Sequence, residues 1–301
     1  YGRFQIHDYH AQNRSLTLPE VFTYSSNIGT SKLALMVGVE GHKAFLRKAG
    51  MLDRMKTELP ESASPIVPKR WSELNTITIS FGHGIAVSPL HVVRGTAALA
   101  NGGLVLKPTI LAVDPAAARE AGTRVMQHST SDTVRKLMRL VVTDGYGKPA
   151  DVPGYFVGGK TGTAEKTTAH GYKKHANISA FMSVFPMNAP KYAVYFMLDE
   201  PKGNASTGGY STAGAVSAPG AGRVIARIAP MLGLMPETVT AAATQATLAI
   251  PMQPGRPANA PASVPVAHVP THPTPVPANM PAREPVVPRR EAGPATAVAA
   301  R

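Results

Sequence analysis

Cysteine is absent from this 301-residue chain, which excludes disulfides, thiolate metal sites and a cysteine nucleophile. The absence fits an exported protein without assigning a compartment. No apolar run approaches the roughly 20 residues that span a bilayer. No signal peptide precedes Tyr1, and the first residue is not methionine, so the chain reads as the interior of a longer polypeptide. Acidic residues are scarce: 18 Asp and Glu against 31 Lys and Arg give a formal net charge of +13. That balance brings nucleic acid and anionic surfaces into consideration as partners. The cations are spread along the chain, however, with neither zinc-finger spacing nor an RNA-binding aromatic signature, so nucleic acid is not expected. What remains is a generally basic surface suited to anionic surroundings.

An apolar content of 44% over this length is enough to bury a substantial core. Composition changes near residue 236, after which Ala, Pro, Val and Thr dominate, as in Pro270-Thr271-His272-Pro273. Closely spaced prolines remove backbone donors and restrain their neighbours. Residues 236–301 are therefore expected to form a disordered Pro/Ala-rich tail, and residues 1–235 the globular part. Arg3 to His10 reads as a short strand or hairpin arm. Ile28 to Gly38 has helical spacing ended by glycine, and Gly41 to Gly50 reads as a second helix. Met51 to Ser72, broken by Pro60, Pro65 and Pro68, reads as irregular. Thr76 to Phe81 reads as a strand leading into Gly82-His83-Gly84. Ser88-Pro89 predicts a helix start, with the helix running to Ala100 or Asn101. A further helix is expected over Ser131–Thr143, then strands over Tyr155–Glu165, Ile178–Phe185 and Tyr192–Leu198, and a closing helix over Gly220–Leu232. Helices first, then adjacent strands and a final helix, predict an α+β fold with a mostly antiparallel sheet.

Two short strings carry chemistry. In Lys160-Thr161-Gly162-Thr163, lysine supplies a compact positive charge and the threonines supply hydroxyl donors. Gly162 allows another backbone to approach, and strand alternation puts Lys160 and Gly162 on one face, Thr161 and Thr163 on the other. That set suits a carboxylate docked on an exposed strand. Far upstream, Ser25-Ser26-Asn27 stands just before a helix, where it would serve equally well as a plain helix cap.

Together the two strings resemble two of three signatures of the serine acyl-transferases that recognise penicillin. The surrounding Ile6-His7-Asp8-Tyr9, Tyr24 to Leu35, Phe81 to Leu90 and Val152-Pro153-Gly154-Tyr155 resemble the class B penicillin-binding proteins of the cell-division, penicillin-binding protein 3 type. The resemblance covers residues 1–235. It implies the transpeptidase and serine β-lactamase-like fold, with an antiparallel sheet flanked by helices, and the formation of peptidoglycan cross-links from stem peptides ending in D-Ala-D-Ala. It further implies that Ser25 relays a proton and that Asn27 holds the substrate backbone. Lys160 would add positive potential, Thr161 and Thr163 would take the terminal carboxylate of substrate or β-lactam, and the Thr163 backbone N–H would form half of an oxyanion hole. No cofactor or metal is implied. Division-machinery membrane proteins, such as a septal glycosyltransferase, are the expected partners. The expected location is the periplasmic face of the inner membrane, with the membrane reached through an N-terminal anchor that this chain lacks.

The third signature departs from the pattern. No lysine in the chain has serine three residues before it, so the nucleophile and its base are expected upstream of residue 1, together with central helices of the fold. This chain alone is then expected to be inactive, to expose apolar surface and to be poorly stable. Two other readings compete: a non-catalytic module that binds division partners, and a β-lactamase or D,D-carboxypeptidase. The second needs water to attack the acyl-enzyme, and no separate motif for a deacylating carboxylate is present. Among the remaining polar residues, Gly82-His83-Gly84 reads as a backbone-bending element, His170 and His175 as solvated residues astride a turn, and Glu165 and Asp199 as surface charges.

Overall fold

The computed structural model describes residue 2 and residues 5–168 and 171–253; for residues 167, 168 and 171–175 it describes the backbone alone. The order of elements is α1 (Leu18–Thr23), α2 (Asn27–Lys48), α3 (Glu73–Ser80), α4 (Pro89–Ala100), β1 (Leu104–Val105), α5 (Pro115–Glu120), β2 (Thr123–Arg124), α6 (His128–Thr143), β3 (Gly158–Thr168), β4 (Gly171–Phe185), β5 (Tyr192–Asp199), α7 (Ala213–Met231) and α8 (Ala241–Thr247). The α+β class is as expected.

The centre of the fold is an antiparallel sheet in the order β3-β4-β5, with β1 and β2 forming a separate small ribbon. Alternation along β4 sends its residues to opposite layers. Phe181 and Phe185, both fully buried, face α7, where Ala218, Ala221 and Ile225 meet them. Val184 faces the other way, into a cluster with Ala100 of α4 and Met138 of α6. Small residues let α7 lie close on the sheet: a Cβ at Gly220 would stand 2.5 Å from the Phe196 ring.

Several expectations are met and several are corrected. α2 spans both helices expected on either side of Gly38, and the glycine breaks them with φ 77°, a conformation a side chain disfavours. The three strands lie where alternation put them, and Met51–Ser72 is irregular apart from one bridge at Ile66. Of the arm expected over Arg3–His10, Arg3 and Phe4 lie outside the described residues and residues 5–10 form no strand. The stretch around Thr76–Phe81 is helical: Ser72 caps the start of α3, its side chain accepting from Asn75 N while the Asn75 side chain accepts from Ser72 N. Thr76, Ile77 and Ile79 are buried, so capping and packing on α2 override the β-preference of a β-branched run. Ser88 precedes α4 as expected but does not cap it; its hydroxyl pairs with His91 Nδ1 at 2.7 Å instead. α7 starts seven residues before Gly220 and contains Pro219.

Ordered structure also continues past residue 235. Gly154 O accepts from Glu237 N at 2.9 Å, α8 follows, and Leu248 is buried beside Phe156 and Met138. The alanines of 241–246 read as tail composition, but they sit next to one leucine that the core accepts. Residues 254–301 lie outside the described residues.

Candidate active site

The site is built from the turn after α1 and the edge strand β3. α1 ends in a Schellman arrangement: Ser26 N donates to Val21 O at 3.0 Å and Ser25 N to Phe22 O at 3.3 Å. Ser25 occupies the left-handed position, φ 56°, where glycine is the usual residue. A serine here costs backbone strain, and what it gains is an exposed hydroxyl at the end of the turn.

The next two residues lock that turn. Ser26 is buried, and its hydroxyl accepts from Gly29 N at 2.9 Å, capping α2, while donating to Asp8 at 2.8 Å. Asp8 also accepts from Ile28 N at 2.9 Å, placing a carboxylate at the positive end of α2. Asn27 Nδ2 donates to His7 O at 2.9 Å, which leaves its carbonyl oxygen and one N–H open. His7 and Asp8 are therefore a clamp on this turn. Their function as a clamp was not legible from sequence, although an acid ahead of a serine-rich helix start was a usable signal.

Lys160, on β3, points at the turn from the other side. Its Nζ donates to Ser25 Oγ at 2.7 Å and to Thr161 O at 3.3 Å. Burial lowers its pKa from 10.5 to about 8. No carboxylate counters that effect, so the ammonium gives up its proton more readily than an ordinary lysine does. Register supports the predicted alternation. Lys160 and Gly162 pair with Met182 and Ala180, whereas Thr161 and Thr163 pair with Phe181 and Ser179 on the α7 side. A Cβ at Gly162 would meet nothing nearer than 4.0 Å, so the strand surface is open there.

Thr163 carries a contact that sequence did not reveal. Its Oγ1 accepts from Ala213 N, the first residue of α7, at 2.9 Å. The hydroxyl thus satisfies one orphan donor of the helix and keeps its own hydrogen for an anion. The same contact brings the positive end of a 19-residue helix against β3. Because β3 is an edge strand, an extended peptide can add along it, with Lys160 and Ser25 near one face and an anion-favouring helix end beyond Thr163. The remaining singled-out residues stand apart from this group. Asp199 pairs with Lys166 at 2.9 Å, Glu165 is exposed, and the His83 ring lies against Phe81. His170 and the side chain of His175 lie outside the described residues. No group of three metal-ligating side chains occurs among the described residues.

This geometry has counterparts in known proteins. Residues 1–224 match the model of the penicillin binding protein transpeptidase domain. The chain is 44% identical over 246 residues to the probable peptidoglycan D,D-transpeptidase FtsI of Caulobacter vibrioides, covering 79% of this chain and 42% of that protein. Among solved structures, the transpeptidase domain of Burkholderia pseudomallei penicillin-binding protein 3 superposes with a TM-score of 0.67 at 31% identity, covering 74% of this chain and 66% of that one. Mycobacterium tuberculosis penicillin-binding protein 3, in a structure complexed with aztreonam, gives a TM-score of 0.65 at 28% identity, covering 75% and 53%. The chain spans about two fifths of the length of the Caulobacter relative. With a lysine-bearing edge strand facing a serine turn, and with this match over most of its globular part, the chain belongs to the penicillin-binding protein transpeptidase domain family.

Proposed function

We propose that this chain supplies the substrate-holding half of a septal peptidoglycan D,D-transpeptidase that reacts with penicillin through a serine acyl-enzyme. The observation that carries the reading is the 2.7 Å contact between Lys160 Nζ and Ser25 Oγ. A serine nucleophile with an adjacent lysine base attacks the D-Ala-D-Ala carbonyl. Its proton reaches the departing D-Ala amine through Ser25, and an amine from a neighbouring strand then takes the acyl group and returns a proton by the same path. Lys160 orients Ser25 and, where it stays protonated, favours a neutral base lysine. Thr161 and Thr163 take the terminal carboxylate, Asn27 takes the substrate amide, and the Thr163 N–H contributes half of an oxyanion hole. The enzyme so described works at the periplasmic face of the inner membrane with division-machinery proteins such as a septal glycosyltransferase, held there by an anchor outside these residues.

One observation favours a second reading, a non-catalytic module of the division machinery: these 301 residues contain no Ser-x-x-Lys. Labelling with a fluorescent penicillin separates the two. The chain alone stays unlabelled. The same chain joined behind a Ser-x-x-Lys-bearing segment from a penicillin-binding transpeptidase labels covalently, and Lys160→Ala slows that labelling about a hundredfold or more. Labelling of the chain alone overturns the placement of the nucleophile outside these residues, and a folded fusion that never labels overturns the enzyme reading.

A further inference from the structure

The segment after α7 lies beyond the residues that match the family model, yet it touches both supports of the site. Glu237 N bonds to Gly154 O at 2.9 Å, four residues before β3. Gln245 Oε1 accepts from Arg139 Nε at 2.8 Å, and the same guanidinium donates to Val157 O at 2.7 Å, at the root of β3. Leu248 then enters the core beside Phe22 of α1. Finally Met252 O accepts from Thr17 Oγ1, and Gln253 Nε2 donates to Glu20 Oε1 at 3.0 Å. Thr17 caps α1, and Glu20, 2% exposed, completes its capping box.

α1 has only six residues, too few to hold a helix by itself, so its direction is set by what it packs against. Ser25 stands two residues beyond its last turn, where a small tilt of the helix moves the hydroxyl away from Lys160. We propose that residues 237–253 are a positioning strap that ties α1 to the root of β3 and so holds Ser25 within reach of Lys160. None of these residues touches the site. Their proposed effect on the reaction rests on the transpeptidase reading above; the mechanical part does not.

Hydrogen exchange read by mass spectrometry tests that part on the 301-residue chain. In Gln245→Ala/Gln253→Ala the Leu248 anchor is kept so that the fold survives. Amides of residues 21–30 should then exchange roughly tenfold faster or more, while those of β5 keep their rates. Gln253→Lys, which preserves a donor toward Glu20, should restore protection. Unchanged exchange at 21–30, or equal loss in β5, overturns the strap. In the penicillin-reactive fusion, the double variant should acylate roughly tenfold to a hundredfold more slowly, with Gln253→Lys again rescuing. An unmodified fusion that does not label overturns the enzyme reading instead, and the exchange result still decides the strap.

Discussion

Ser25 and Lys160 each carry a stability cost at a position that the proposed function uses. Ser25 holds a left-handed backbone, φ 56°, that glycine adopts without strain. Ser25→Gly should therefore leave folding stability unchanged or raise it by up to about 1 kcal/mol, while the fusion protein loses most of its penicillin labelling. Denaturant titration and gel fluorescence read the two effects separately, and parallel losses in both would contradict the assignment. Lys160 is costly in another way. Its folded pKa of about 8 lies below the ordinary 10.5, so between these values the unfolded chain binds more protons and stability rises with pH. Below pH 8 the penalty is present in full. Lys160→Met should thus be more stable than the parent at pH 7, by about 1–2 kcal/mol after allowance for partial exposure. That advantage should shrink toward pH 10.5. Urea titrations at pH 7 and pH 10 check the sign, and an advantage that grows with pH would refute it.

At the scale of elements, β3 depends on how closely it lies against β4. A Cβ at Gly159 would stand 2.4 Å from Met182 O and 2.5 Å from the Phe181 ring. Backbone cannot yield as a flexible side chain does, so Gly159→Ala should cost about 2–4 kcal/mol and shift Lys160 with the strand. Circular dichroism melts measure the first effect and penicillin labelling of the fusion the second; a variant as stable as the parent would show that the strand has slack. Elements also differ in how well sequence announced them. The β-strands were legible because alternation is a local signal that the sheet preserves. α3 was not, because Thr76 to Ile79 favour a strand locally and only the Ser72–Asn75 capping box and burial on α2 make them helical. The early start of α7 was hidden by Pro219, which breaks helical pattern in sequence. In the structure its first turn has a partner in Thr163.

Across the whole molecule, one layer of helices and one helix on the other face sandwich a three-stranded sheet, and the site lies at the sheet's free edge. Exposed apolar side chains include Met36, 83% exposed, and Val37, 60% exposed, on α2. The chemical strings were determined by sequence alone: Lys160 to Thr163 and Ser25 to Asn27 are short, and their residue types name the chemistry they can do. Their partnership was not contained in either string. Ser25 and Lys160 stand 135 residues apart, and an angstrom-scale contact across that distance is the product of every element packed between them. The same reason hid Asp8 behind the turn, the Thr163 hydroxyl under α7 and the strap at 237–253. A hydrogen bond has no signature in sequence until folding brings its two ends together, so sequence determined which groups this protein has, and tertiary structure decided which of them meet.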